Sequence, residues 1–174
     1  MSFPHRLIRK GPHNPADMRA LHAAVAAALL MAGCSSESPT FSVAGAKVDA
    51  LYHCPDGSVD AKYDVHATIQ ARNPTSNRVT VDSATADMVL AAVTGRWLEH
   101  VGDRYEAGTV AVSPSAVGAN STATLDVTIP STCTSGRSGA TQSSSGSYTV
   151  TIHLATSAGA YSVTAGNRHE ILAA

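Results

Sequence analysis

After Cys34 the chain holds five histidines, His53, His66, His100, His153 and His169, its clearest candidates for metal ligation or proton transfer. His66 and His153 fall at polar positions within runs of alternating apolar residues. On neighbouring strands, two such solvent-facing imidazoles would form a metal pair. No HxH, HxxxH or HExxH spacing fixes two ligands on one element, so unpartnered surface histidines are the plainer reading and no metal is expected. Serines are abundant, yet no GxSxG elbow sets one at a strained turn, and no hydrolase is read from them. Asp56 and Asp60, beside Pro55, suit a calcium loop in type but not in spacing, which leaves a turn. No glycine-rich phosphate loop follows a strand, so no cofactor is expected. Trp97, the lone tryptophan, is either a core or sandwich-edge residue or an exposed anchor for a partner.

These groups lie behind an export signal. Residues 23–33, AAVAAALLMAG, form an apolar stretch preceded by Arg19 and closed by Cys34. As a helix the stretch spans roughly 16 Å, against roughly 30 Å of bilayer hydrocarbon, so it reads as a signal-peptide core, not a membrane span. Leu30-Met31-Ala32-Gly33-Cys34 resembles the lipobox of bacterial lipoproteins, in which small residues precede a cysteine that receives diacylglycerol. Met31 departs from the commoner leucine. The resemblance implies cleavage before Cys34, a lipid on that cysteine and an extracytoplasmic, membrane-anchored product. At about 0.8 kcal/mol per buried methylene, two or three acyl chains anchor durably where one does not. Residues 35–40, SSESPT, extend the cysteine into a polar tether spanning residues 34–40. The segment before Met18 is long and proline-rich for the start of a signal peptide, so Met18 is a candidate start for residues 1–33.

With Cys34 assigned to lipid by that resemblance, Cys54 and Cys133 remain as a pair in an oxidising compartment, and a disulfide is expected. Two buried free thiols are the alternative. No CxxC motif supports thiol redox chemistry or a structural zinc. Of the 12 Lys and Arg, four precede Cys34, as does one of the 13 Asp and Glu, which leaves a mature part near −4. A mildly acidic chain without a basic cluster argues against nucleic acid as a partner.

The elements that must position these residues are strands. Tyr63, Val65, Ala67, Ile69 and Ala71 alternate with polar residues, as do Leu125, Val127 and Ile129, and Tyr148, Val150, Ile152 and Leu154. Weaker strands are read at residues 41–52, 79–93, 105–112, 160–165 and 169–172, with a short helix as the alternative for 82–92. Residues 131–147, rich in Ser, Gly and Thr, read as a flexible loop. An all-β fold follows: an immunoglobulin-like antiparallel sandwich of about 7–8 strands over residues 41–174. With only 5% aromatic residues, its core must be aliphatic. The run VHATIQARNPTSNRVTV, with the later VSPSAVGANSTATLDVTIP, resembles the Asn-Pro strand-turn-strand of LEA14-type water-stress sandwich domains. The likeness implies a fold more than a function.

Together these readings favour a lipid-anchored, non-enzymatic binding or structural module that contacts another envelope protein or polymer. The alternative is a metal or small-molecule binding protein using His66 or His153.

Overall fold

The strongest alternation in the sequence becomes the longest strands. In the computed structural model, which describes residues 39–55, 60–133 and 144–173, β3 (Ala61–Asn73) buries Tyr63, Val65, Ala67, Ile69 and Ala71 and turns Lys62, Asp64, His66, Thr68 and Gln70 outward. It runs antiparallel to β8 (Ser121–Cys133) in unbroken register, from Ala61 opposite Cys133 to Asn73 opposite Ser121. That register puts Val65, Ala67 and Ile69 directly across from Ile129, Val127 and Leu125, so both strands bury the same face. Burying each Val, Leu or Ile side chain contributes about 1.5–3 kcal/mol. With β1 (Ser42–Val48) and β6 (Ala111–Ser113) on the two flanks, they make a four-stranded sheet.

The facing sheet has seven strands. β4 (Val79–Thr94) and β9 (Ser145–Thr156) form its centre, with β5 (Arg104–Thr109) beside β4. β10 (Gly159–Thr164) and β11 (His169–Leu172) both pair with β9, β2 (Leu51–His53) runs parallel to β11, and β7 (Ala116–Val117) pairs with the start of β4. Ala84, Ala86, Met88 and Leu90 of β4 and Val150, Ile152 and Leu154 of β9 close the core against the first sheet.

The all-β sandwich expected from the sequence is therefore the fold, with corrections in detail. The described residues form eleven strands rather than seven or eight, because two segments read as single strands change sheets and the two-residue β7 is too short to alternate. Residues 41–52 divide at Asp49 and Ala50 into β1 of one sheet and β2 of the other, and residues 105–112 divide at Val110 into β5 and β6. A crossing of one or two residues leaves no mark on alternation. The helix alternative for residues 82–92 is overturned, since that segment is the middle of β4, where β9 on one side and β5 on the other take its backbone groups. No helix occurs among the described residues. The loop expected at 131–147 is shorter at both ends: Ser131, Thr132 and Cys133 finish β8, and Ser145, Gly146 and Ser147 begin β9. Residues 134–143 lie outside the described residues, as do the signal segment, Met18, Cys34 and Asp56.

Two devices lock the ends of the sandwich. At one end, Asn73 is fully buried in the turn that joins β3 to β4. Its amide nitrogen donates to the carbonyls of Asn77 at 2.7 Å and Gly118 at 2.8 Å, and its Oδ1 accepts from the hydroxyl and amide of Thr75 at 2.7 and 3.2 Å. At the other end, Cys54 and Cys133 are joined in a disulfide with their Cα atoms 5.9 Å apart, which fastens the segment after β2 to the end of β8. The pairing expected from the sequence is thus present.

Candidate functional site

Three of the five histidines pair with an aspartate. His66 Nδ1 lies 3.0 Å from Asp49 Oδ2, His100 Nδ1 lies 3.8 Å from Asp103 Oδ2, and His153 Nε2 lies 2.9 Å from Asp87 Oδ2. The first two carboxylates are open to water, with side chains 49% and 54% exposed, and such pairs contribute at most about 1 kcal/mol. Asp87 is only 15% exposed, so solvent screens its contact with His153 less.

Among the described residues His153 is also the only member of these pairs with a hydroxyl on its other nitrogen: Nδ1 lies 2.8 Å from Ser162 Oγ. With Nε2 protonated and donating to Asp87, Nδ1 is the acceptor and the Ser162 hydroxyl the donor. Arg104 completes the group, its guanidinium 3.5 Å from the same Asp87 oxygen. The line Arg104, Asp87, His153, Ser162 crosses four strands, β5, β4, β9 and β10.

Register explains how the line forms. Thr85, His153 and Ser162 stand side by side across β4, β9 and β10. Asp87, two residues further along β4 on the same face, reaches His153 diagonally, and Arg104, opposite Val89, reaches back to Asp87 in the same way. The next row towards the β9–β10 turn is Ser83, Ala155 and Ala160, all small. Low residues beside a row carrying an imidazole leave a shallow depression of about 240 Å³, with His153 and Ser162 on its rim. It opens on the outer face of the larger sheet. Its rim hydroxyls, Ser83, Thr85 and Ser162, can donate and accept, which suits a polar, uncharged ligand group.

Of the residues singled out in sequence, His153 is therefore the hub. His66 is not its partner. His66 sits on β3 in the four-stranded sheet and His153 on β9 in the other, so the strands are not neighbours and the two-histidine metal pair does not form. Among the described residues no three His, Cys, Asp or Glu side chains gather as a metal site. His53 is exposed on β2. Asp60 adopts a left-handed conformation, with φ at 56°, and its amide donates to the Cys133 carbonyl at 3.0 Å, a turn contact.

Of the two readings of Trp97, the structure has the sandwich-edge residue. Its indole is half-buried against the core and lies over Gly146, where a Cβ atom would come within 2.5 Å of the ring. Its Nε1–H donates to the Tyr148 hydroxyl at 3.1 Å. Burial pushes the Tyr148 hydroxyl well above its ordinary range, and the indole hydrogen bond opposes that rise.

His169 belongs to a second, interior group. Its Nδ1 lies 2.7 Å from the Asp49 carbonyl and its Nε2 3.1 Å from the Tyr63 hydroxyl, an arrangement that makes Nδ1 the donor and Tyr63 the donor to Nε2. Tyr52 stacks on Tyr63 with ring centroids 3.8 Å apart. Burial lowers the His169 pKa, and burial, countered by a hydrogen bond from Ser131, raises that of Tyr63 to about 12. Sequence reading missed this group, although His169 shares the parity of buried Ile171. It also missed Asp87, whose signal was a lone charge inside ATADMVL, and Ser162, one serine among many.

No family model and no curated protein matches the sequence. Among solved structures the chain is similar to a late embryogenesis abundant (LEA) protein at 18% identity, with 94% of each chain covered and a TM-score of 0.42. It is similar to a structural-genomics target, SoR45, at 14% identity and a TM-score of 0.40, over 76% of this chain and 86% of the other. A PapD-like domain of human CEP192 aligns at 9% identity and a TM-score of 0.27, over 82% of this chain and 91% of that one. These structural neighbours include a LEA-like protein and other β-sandwich folds.

Proposed function

We propose that this protein is a lipid-anchored, extracytoplasmic module of the bacterial cell envelope that works by binding, without turnover, through the outer face of its larger sheet. The observation that carries the binding role is the rim of His153 and Ser162 beside the depression, held by a sheltered carboxylate on a sheet face that no other described element covers. Polar groups fixed by their neighbours and set beside a concavity recognise a ligand at low entropic cost. The lipobox-like Leu30–Cys34 segment supports the anchor on Cys34. The Asn73-Pro74 strand-turn-strand supports placing the sandwich with LEA14-type domains, and that kinship brings no ligand with it.

The test is photocrosslinking from intact membranes with a photoreactive side chain at Thr85, which borders the depression. A discrete adduct, lost when Cys34→Ala releases the protein to the soluble fraction or when His153→Ala alters the rim, is the expected result. Crosslinking that survives both changes overturns the reading. The alternative small-molecule reading is favoured by the same depression: titration of isotopically labelled protein with envelope extracts would then move the amide resonances of residues 153 and 162 with no protein adduct.

A further inference from the structure

We propose that Ser162 is an activated nucleophile that captures an acyl group from an activated ester or thioester, so that the rim of the depression binds covalently. The inference rests on the binding reading above and adds the chemical class of ligand.

A serine hydroxyl is a weak nucleophile unless a base takes its proton as the new bond forms, and the base must itself be held in the right tautomer. Both conditions meet at this rim. Ser162 Oγ is 2.8 Å from His153 Nδ1, and His153 Nε2 is 2.9 Å from Asp87 Oδ2. The other two histidine–aspartate pairs serve as internal comparisons. Neither His66 nor His100 has a serine on its remaining nitrogen among the described contacts, and both of their carboxylates are about half exposed. Ser162 is exposed on β10, and an acyl donor can approach it from the depression.

In the step itself Ser162 Oγ bonds to the acyl carbon while its proton passes to His153 Nδ1. The bond from the acyl carbon to the leaving oxygen or sulfur then breaks, and His153 returns the proton to the departing alcohol or thiol. Asp87 stabilises the imidazolium between these events and acts as a positioning residue. What the face lacks is equally informative. The backbone amides of β9 and of the edge strand β10 lie in the plane of the sheet, so none points outward at the developing oxyanion. Removing a single oxyanion donor from an enzyme costs about 10²- to 10³-fold in rate. Attack by water on the acyl-serine is slowed for the same reason, and the product is a loaded protein, not a turnover cycle.

The experiment uses the full chain carrying Cys34→Ala and p-nitrophenyl acetate as donor, read by intact mass, by peptide mapping and by nitrophenol release. The expected result is a burst of one equivalent with one acetyl group on Ser162. Ser162→Ala abolishes it, and His153→Gln slows it by about 100-fold or more. The burst rate is followed against pH, and Asp87→Asn changes that profile, which a merely structural role would not do. Thermal melts of the variants establish that they fold. Acetylation confined to Lys47 or Lys62, equal labelling in Ser162→Ala, or no burst above free serine overturns the proposal. Unchanged crosslinking at Thr85 alongside a missing burst sinks covalent capture alone, whereas loss of both sinks the binding reading as well.

Discussion

Asn73 shows how much one buried polar side chain can hold. Asn73 supplies two donors to carbonyls of two separate segments, one just after its own turn and one at Gly118, and accepts from Thr75 in return. Replacing it with alanine removes all of these bonds at a fully buried position, although the Asn77 and Gly118 carbonyls keep the Thr75 and Ser121 hydroxyls, and each lost hydrogen bond contributes about 0.5–1.5 kcal/mol. Asn73→Ala should therefore lower unfolding free energy by about 2–4 kcal/mol, seen as a lower urea midpoint at an unchanged slope. Asn73→Asp, which keeps the acceptor and loses the donors, should fall nearly as far. The motif was legible in sequence as Asn-Pro between two strands. That its side chain would fasten the β7–β8 turn was not, because Gly118 is 45 residues away and no local pattern couples the two.

At the scale of elements, legibility followed the length of the alternating run. β3, β8 and β9 stood out because five, three and four apolar residues repeat at period two in each, and the structure buries those residues. The short strands β2, β6 and β7 hold two or three residues, too few for a period to show. The candidate site was half legible: alternation sends His153 outward, but only pairing order puts Asp87 and Ser162 beside it and leaves His66 on the other sheet. The same limit hid the junction of β11, β2 and β3, where His169 meets Tyr63 and the Asp49 carbonyl. A protonated His169 would turn a second N–H towards the Tyr63 oxygen, which already accepts from Ser131, and displace the phenol proton. Burial lowers the pKa of His169 in the folded state, so the unfolded chain binds the proton more readily. Stability is then at its plateau above the unfolded value of about 6.5 and falls as pH drops below it, by at most about 1.4 kcal/mol per pH unit. Tyr63 acts in the opposite direction: its pKa of about 12 makes stability fall as pH climbs from about 10. Urea midpoints measured from pH 8 down to pH 5 should decline for the native sequence and decline less for His169→Gln. Equal slopes for the two would remove His169 as the cause.

For the whole molecule, the two ends of the sandwich carry different duties. Pro39 and Thr40 lead into β1, where Ser42 stands opposite Arg72, next to the Asn73 turn, so the described chain enters the sandwich at that end. Cys54 and Cys133 close the opposite end. There the link meets two weak points, the three-residue strand β2 and the end of β8. β2 pairs in parallel with β11 alone, Tyr52 stacks on Tyr63, and the amide of Cys54 donates to the Leu172 carbonyl. Closing a loop across a separation of 79 residues restricts the unfolded chain by about 4–5 kcal/mol in the loop-entropy model. Reduction with a thiol, or Cys54→Ala with Cys133→Ala, should lower the melting temperature by roughly 10–20 °C. Loss should begin at the disulfide end: hydrogen exchange at Leu51, Tyr52 and His53 should accelerate in the reduced protein while exchange in the middle of β3 and β8 changes only with global stability. Uniform acceleration across both sheets would mean the bridge acts on the unfolded chain alone and holds no particular strand in place.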